Sequence, residues 1–455
     1  MEKQHQIFFD FLRFCIGSDS EIPSSLKEAD WKELYAIAQK QCLVGVLFDG
    51  IKKLPAEYVG MKKELLLQWM AECQMLVKAN VRLNDAAIQV SEWFRKKGFR
   101  TCILKGQGNA LMYPNPYSRT PGDIDIWVEG EDKRVISFVR SISPHEKACY
   151  HHIEFPSYKG VEVEVHYRPS FLLCFWHNRK LQKYYERVKE EQFSHRVMLG
   201  EQEEIAIPTV EFNLIFQLTH IYAHLMNEGI GLRQLVDYYF VICDFYKVYQ
   251  KSSKITPSLF TLKEGDFSNH PVPLSKEGST FSPSPSSSGS GDVTAPSRCS
   301  EPLRSKVGGP SKVSPNCAGW DRLSIEGDNS AGSTTAVTSS ASTALDVVQK
   351  ELKELGLWKF AGGIMYIMQE VFGMPASRLI VPPNEKYGKF VLNEVLEAGN
   401  FGKHDARNRF GRSKFGHNLQ RVYRDIRLVR YFPGEALCEP LFRIWHFFWR
   451  MKNKK

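Results

Sequence analysis

Four short runs of β-forming residues interrupt a chain whose other apolar residues mostly recur at helical spacing. They are Arg100–Leu104, Ile124–Val128, His151–Phe155 and Val161–Tyr167. Gly160 separates the last two runs and predicts a tight hairpin, while Glu131–Ile142 has the pattern of an intervening helix. This change from helical to strand periodicity is the sequence feature that most constrains the fold. It predicts an α+β class, with a small mixed β-sheet flanked by predominantly helical N- and C-terminal regions.

The helical parts divide the chain around this sheet. Leu26–Lys53 and Lys62–Lys97 both space their apolar residues as helices do, and the second contains neither Gly nor Pro. Helical patterns return after Pro169 and again from Ala344. We therefore predict a helical N-terminal region at 1–98, a sheet core at 99–170, a helical region at 171–251 and a helical basic C-terminal region at 344–455.

Residues 252–343 differ in composition from the rest. More than half of them are Ser, Thr, Pro or Gly, including the run from Ser282 to Gly291. Such a segment buries too little apolar surface to offset its chain entropy, so we predict a disordered insert. Closing a loop of this length costs little more than closing a short one, because the entropy grows only logarithmically.

The formal net charge of +9 is concentrated at the C-terminal end. Residues 384–455 carry 16 basic and 7 acidic side chains, so the chain before them sums to zero. Arginines alternate with aromatic residues between Lys403 and Arg430. This pattern allows a nucleic-acid surface, but we favour a helical face packed on the rest of the protein.

The sequence predicts a cytoplasmic protein. No run of ~18 uninterrupted apolar residues suggests a transmembrane segment, and residues 1–10 lack the features of a signal peptide. The ten cysteines include no Cys-x-x-Cys pair, which is typical of reduced thiols.

Paired carboxylates occupy the second and fourth runs. Side chains two apart on a strand share a face, so Asp123 and Asp125 project together, opposite Ile124 and Ile126. Two close carboxylates repel each other unless a cation neutralises them, and hard oxygen ligands favour Mg²⁺. A solvated strand face, without any metal, is the alternative for this motif taken alone.

The fourth run places Glu162, Glu164 and His166 on one face. If this strand lies beside the Asp-x-Asp strand, one of the two glutamates becomes a third carboxylate ligand. Three carboxylates can hold two Mg²⁺ ions, as in phosphoryl transfer. Gly106 and Gly108, at a strand-to-helix turn, would let backbone N–H groups approach a phosphate.

These motifs occur in an order that resembles a known family. They read Leu104-Lys105-Gly106, Arg119 ahead of Asp123-Ile-Asp125, and Glu164-Val-His166-Tyr-Arg168. The chain resembles the nucleotidyltransferase superfamily related to polymerase beta, and more narrowly the bacterial family of uncharacterised nucleotidyltransferases. The resemblance extends to His220, His224, Gly231-Leu-Arg233 with Asp237, and Gly399-Asn-Phe-Gly402.

The resemblance implies a role for each of these residues. The catalytic and metal-binding set would be Asp123, Asp125 and Glu164, with Glu162 as the competing third carboxylate. The nucleotide-binding set would be Lys105, Gly106, Gly108 and Arg119. Substrate contacts would come from His166, His220, His224, Arg233 and Asp237. His220 and His224 are one helical turn apart, but we favour packing or substrate contacts over zinc there, and a structural role for His151-His152.

The predicted function is transfer of a nucleoside monophosphate from a nucleoside triphosphate such as ATP to an acceptor hydroxyl, with release of pyrophosphate. The resemblance implies Mg²⁺ as cofactor, with two ions. The alternative is a catalytically silent binding or regulatory module of the same fold, as in toxin–antitoxin pairs. Gln107 after Gly106, where the family has Gly or Ser, supports this alternative. The sequence does not identify the acceptor.

Overall fold

The computed structural model describes residues 3–200, 203–254, 334–407 and 414–453. The strands are β1 (Thr101–Leu104), β2 (Ile124–Val128), β3 (His152–Tyr158), β4 (Val161–His166), β5 (Arg196–Met198) and β6 (Glu204–Ala206). The helices up to the insert are α1 (Lys3–Ile16), α2 (Trp31–Lys40), α3 (Val44–Ile51), α4 (Lys63–Lys96), α5 (Gly106–Ala110), α6 (Asp132–Ile142), α7 (Phe175–Ser194), α8 (Val210–Asn227) and α9 (Leu232–Lys254). The helices after it are α10 (Thr334–Glu354), α11 (Trp358–Glu370), α12 (Glu385–Ala398), α13 (Lys414–Val429) and α14 (Pro433–Lys452).

The first four strands form one mixed sheet in the order β1-β2-β4-β3. β2 is antiparallel to β1 and parallel to β4, and β3 and β4 form an antiparallel pair. Lys159 and Gly160 turn the chain between β3 and β4 with positive φ, which confirms the predicted hairpin. Asp125 pairs in register with Glu164, so the two acidic strands are neighbours.

The two faces of β2 point to different surroundings, as the alternation predicts. Ile124, Ile126 and Val128 are buried in a core that also includes residues of α4 and α6. Trp127, on the opposite face, stacks on Phe212 of α8 within the larger, helical core. Asp125 shares the face of Trp127, which turns its carboxylate towards the helical regions.

The N-terminal region is helical as predicted, but the stretch from Leu26 to Lys53 is broken. Asp30 caps α2 by accepting hydrogen bonds from the backbone N–H groups of Lys32 and Glu33. α2 then ends before Cys42, which has φ +55° and accepts a hydrogen bond from Thr120 Oγ1 on its carbonyl. The break therefore binds the loop that leads into β2.

The region predicted as helical at 171–251 also contains a two-stranded sheet. β5 and β6 form an antiparallel hairpin whose second strand contacts β1 and α4. Three-residue strands are too short for their alternation to be recognised, so the sequence pattern misses them. A break that includes Gly229, with φ +116°, separates α8 from α9.

The helices α10 to α14 make up most of the described C-terminal region, as predicted. α10 begins at Thr334, before the expected end of the insert at 343, and residues 255–333 of that prediction lie outside the described residues. Arg407 pairs with Glu394 and Asp405, and Arg427 also pairs with Glu394. Part of the basic charge is therefore neutralised within the chain. Among the described helices, none has the length and apolar character needed to cross a membrane.

Candidate functional site

A cleft of about 530 Å³ opens over the start of β2 and the middle of β4. The starts of α5 and α9 and the middle of α8 line one part of it. Another part is formed by side chains of α13 and α14, which we call the C-terminal wall: Arg421, Glu439, Phe442, Arg443 and His446. The cleft thus combines the sheet core with helices that follow the insert.

Three carboxylates meet at the floor of the cleft. Oxygens of Asp123, Asp125 and Glu164 all lie within 4.8 Å of one another. The parallel register of β2 and β4 produces this approach, because it sets Asp125 opposite Glu164. Glu162, two residues earlier on β4, is exposed and is not among the cleft residues. The structure therefore places Glu164, rather than Glu162, beside the two aspartates.

The carboxylates carry more negative charge than their surroundings balance. Repulsion from Asp125, together with burial, raises the pKa of Asp123 to about 6. Burial alone would raise the pKa of Asp125, but Lys105 and His166 outweigh it and hold that pKa well below its usual range. Oxygen donors gathered on one face with surplus charge suit a hard divalent cation, so these residues fit Mg²⁺.

Two cationic side chains neutralise Asp125. Lys105 Nζ lies 2.9 Å from Oδ2, and His166 Nε2 lies 2.9 Å from Oδ1. Burial would lower the pKa of His166, but Asp125 and Glu164 raise it to about 9. Lys105 has φ +51°, a backbone conformation that is rare outside glycine and is found where a site requires it. The turn after β1 thus presents the ammonium group to the carboxylates.

Other histidines surround the cluster. His152 Nδ1 lies 3.2 Å from Glu164 Oε2, and the Lys105 ammonium lies 3.1 Å from His220 Nε2. Burial lowers the pKa of His151 and His220 well below the usual value, so both imidazoles are neutral near pH 7. His151 and His152, expected to be structural, both line the cleft, as does His224.

Arg119 and Asp237 form a buried ion pair. Arg119 Nε and Nη2 donate hydrogen bonds of 2.9 and 2.8 Å to the two oxygens of Asp237, which also accepts one from Tyr113 Oη at 2.6 Å. The two charged side chains are only 4% and 5% exposed. Arg119, predicted to bind phosphate, therefore has its bidentate contact within the protein.

Arg233 differs from Arg119 in its contacts within the described part of the chain. It donates from Nη1 to the Thr120 carbonyl at 3.0 Å, and its guanidinium lies 5.7 Å from the ring centre of Phe401. Its Nε is buried without a hydrogen-bond partner in the described part of the chain, where no carboxylate pairs with it. Burial lowers its pKa. Arg233 is thus a cation at the cleft with donor capacity left over.

The predicted glycines separate into two environments. Gly106, with φ +40°, lines the cleft close to the Asp123 carbonyl. Gly108 lies inside α5, where an added Cβ would approach Ile207 Cγ2 to 3.0 Å. Close packing of α5 against Ile207 explains the second glycine, which is not among the cleft residues.

Sequence patterns did not indicate several of the residues that line the cleft. The amide nitrogens of Gln217 and Gln234 are buried without partners in the described chain. Gln217 precedes His220 and His224 by three and seven residues, a helical stripe that would have indicated it. For the C-terminal region the sequence predicted a helical face packed on the rest of the protein, but no pattern indicated which of its side chains reach the cleft.

A carboxyl pair between α13 and α14 predicts a pH-dependent stability. Burial and the neighbouring Glu439 raise the pKa of Asp425 from 3.8 to about 7. A carboxyl group whose pKa is higher in the folded state stabilises the protein fully at pH values below its unfolded-state pKa. This contribution to stability is lost as the pH rises through the folded-state pKa of about 7. We expect the stability advantage of Asp425→Asn over the wild type to grow between about pH 4 and about pH 7 in urea unfolding. Unfolding curves that shift in parallel for both proteins would contradict this.

Comparison with known proteins yields one match. No curated protein and no solved structure matches the chain. Residues 27–248 match the family model described as "Uncharacterised nucleotidyltransferase", a span that runs from before α2 to within α9 and includes the three clustered carboxylates. The helices after the insert, and with them the C-terminal wall, lie beyond the matched span. The match thus assigns residues 27–248, just under half of the chain, to the family of uncharacterised nucleotidyltransferases.

Proposed function

We propose that the protein transfers a nucleoside monophosphate from a nucleoside triphosphate to an acceptor hydroxyl, with release of pyrophosphate. The observation that carries this proposal is the carboxylate cluster of Asp123, Asp125 and Glu164, held by adjacent parallel strands at the floor of a cleft. Phosphoryl transfer depends mainly on positioning and charge stabilisation, which such a site provides.

The three carboxylates would hold Mg²⁺, in one or two ions, which supplies Lewis-acid stabilisation of charge on the phosphate oxygens. The chain itself supplies cations around them. Lys105 reaches Asp125 from the turn after β1, where it is also close to Gly106. Its compact ammonium group would contact the triphosphate when the negative charge of the nucleotide enters the cleft.

Arg233 is our proposed phosphate-binding arginine in place of Arg119. Arg119 is fully paired with Asp237, and moving it would leave a buried carboxylate without its cation. Arg233 lines the cleft without an ion pair in the described part of the chain, and its planar guanidinium suits bidentate contact with phosphate oxygens. Phe401, which lies beside Arg233 and His224, offers a ring for stacking on a base.

The silent binding module is the rival function, and Gln107 was its support. The side chain of Gln107 donates to Asn84 Oδ1 on α4 and is not among the cleft residues. The departure from the family pattern at this position is therefore compatible with an active cleft.

Titration calorimetry with ATP, GTP, CTP and UTP in Mg²⁺ separates the two functions. We expect at least one nucleotide to bind, and Arg233→Gln to weaken that binding about 10-fold or more, because hydrogen bonds to charged groups contribute ~1.5–3 kcal/mol. The matched control is Arg187→Gln, whose side chain is exposed on α7 and pairs with Glu351. Absence of binding by all four nucleotides would favour the silent module. For a nucleotide that binds, its α-labelled form then reports the acceptor in fractionated cell extract.

A further inference from the structure

A second group of metal-ligating side chains lies where α7 and α14 begin. Cys174 precedes α7 and His177 lies in its first turn, while Glu435 and Cys438 lie at the start of α14. Ligand atoms of Cys174, His177 and Glu435 all lie within 4.8 Å of one another. Cys438, three residues after Glu435 on α14, neighbours Cys174 but does not belong to this group of three. None of these four residues lines the cleft.

The group supplies three ligand atoms for one ion, and the neighbouring Cys438 would supply the fourth of a tetrahedral shell. Each helix start contributes two of these residues, three positions apart. Glu435 and Cys438 therefore lie on one face of α14, whereas Cys174 immediately precedes α7. His177 Nδ1 and Glu435 Oε1 are 3.7 Å apart, whereas nitrogen and oxygen ligands of a tetrahedral zinc ion are ~3.4 Å apart. A small side-chain adjustment would therefore bring both atoms to bonding distance of one ion.

The surroundings orient these ligands. Glu435 Oε2 accepts hydrogen bonds from the backbone N–H groups of Leu173 and Cys174, at 2.5 and 3.1 Å, which leaves Oε1 facing His177. Gly356, with φ +71°, packs so closely on the imidazole that an added Cβ would lie 2.3 Å from Cε1. Supporting contacts of this kind fix the orientation of metal ligands.

Burial and chemistry also fit a metal. Cys174 and Glu435 are buried, and the His177 side chain is 34% exposed, which leaves an approach for an ion. Cys174, His177 and Glu435 are grouped without a Lys or Arg ion pair among the described residues.

We propose that Cys174, His177, Glu435 and Cys438 bind one zinc ion that joins α7 to α14. Sulfur and nitrogen ligands favour Zn²⁺ over the Mg²⁺ expected at the carboxylate cluster, and four protein ligands make a closed, structural site. Binding releases the two thiol protons as the sulfurs become thiolates. The same α14 supplies Glu439, Phe442, Arg443 and His446 to the C-terminal wall, so this zinc would fix the position of that wall. The proposal is independent of the transfer reaction.

Zinc content of the untagged full-length chain, purified without chelator, tests the proposal. Elemental analysis should give about one zinc per chain in the wild type and background in the double variant Cys174→Ser/Cys438→Ser. Cys15→Ser/Cys243→Ser, at buried thiols elsewhere, and Asp123→Asn, at the carboxylate cluster, should both retain the zinc. Zinc well below one per chain in the wild type, or zinc that persists in the Cys174/Cys438 double variant, would overturn the site.

Two further measurements apply if the double variant does not fold. His177→Ala alters a partly exposed side chain and should lose zinc to a chelator about 10-fold faster or more. Cobalt substituted into the wild-type chain should give a thiolate charge-transfer band and the visible bands of tetrahedral geometry. Absence of both cobalt signals, or a Cys174–Cys438 disulfide in the unreduced protein by peptide mass, would refute zinc binding.

Discussion

Asp123→Asn is expected to lower nucleotidyl transfer by about 10³-fold, because it removes a ligand whose metal ion provides several kcal/mol of charge stabilisation. The same change should leave the metal-free protein at least as stable as the wild type. Asp123 lies next to Asp125, and their repulsion raises the pKa of Asp123 to about 6, so near pH 7 the neutral amide relieves an unfavourable interaction. Transfer from α-labelled nucleotide and thermal unfolding in a chelator measure the two effects.

Two glutamates of strand β4 provide a second test variant and its matched control. Glu164→Gln should reduce transfer as Asp123→Asn does, because Glu164 lies within 4.8 Å of both aspartates. Glu162→Gln makes the same chemical change two residues away, on an exposed side chain, and should leave transfer unchanged. Full transfer by Asp123→Asn would eliminate the proposed function, and a loss confined to Glu162→Gln would reassign the third carboxylate.

Asp237→Ala is expected to destabilise the protein by ~3–5 kcal/mol, the largest stability effect that we predict. Arg119 is 4% exposed, and its guanidinium directs two hydrogen bonds at Asp237. Removing the carboxylate leaves a buried charge without its ion-pair partner. Tyr113 loses its hydrogen-bond acceptor in the same variant. Urea unfolding followed by circular dichroism measures the change.

An exposed ion pair serves as the control. Asp85→Ala removes the partner of Lys159, but the two side chains are 44% and 63% exposed, so the expected cost is within ~1 kcal/mol. The double variant Arg119→Leu/Asp237→Leu should be more stable than Asp237→Ala, because it removes both buried charges. An Asp237→Ala variant with wild-type stability would show that Arg119 finds another partner, and would restore Arg119 as a phosphate-binding residue.

Local sequence patterns determined much of the sheet and its chemistry. The alternation in β2 predicted that Asp123 and Asp125 project together, and the alternation in β4 placed Glu164 and His166 on one face. Both follow from backbone geometry within a few residues, which composition and spacing encode directly. The hairpin at Gly160 and the helix α6 were predictable for the same reason.

Sequence patterns failed where a residue's partner lies far along the chain. Arg119 looks like a free phosphate ligand until Asp237, 118 residues later, is found beside it. Glu162 and Glu164 are equivalent by alternation, and only the register against β2 separates them. Two short strands, β5 and β6, were missed because three residues are too few for a period to be recognised.

The amino-acid sequence by itself thus determined the type of fold, the acidic strands and the class of chemistry. The tertiary structure decided which carboxylate completes the cluster, that Arg119 is held in a buried ion pair, and that helices beyond the insert form the C-terminal wall. It also brought Cys174 and His177 to Glu435 and Cys438 across the insert. The physical reason is that side-chain direction is set by adjacent backbone, whereas pairing between distant segments is set by packing of the whole chain.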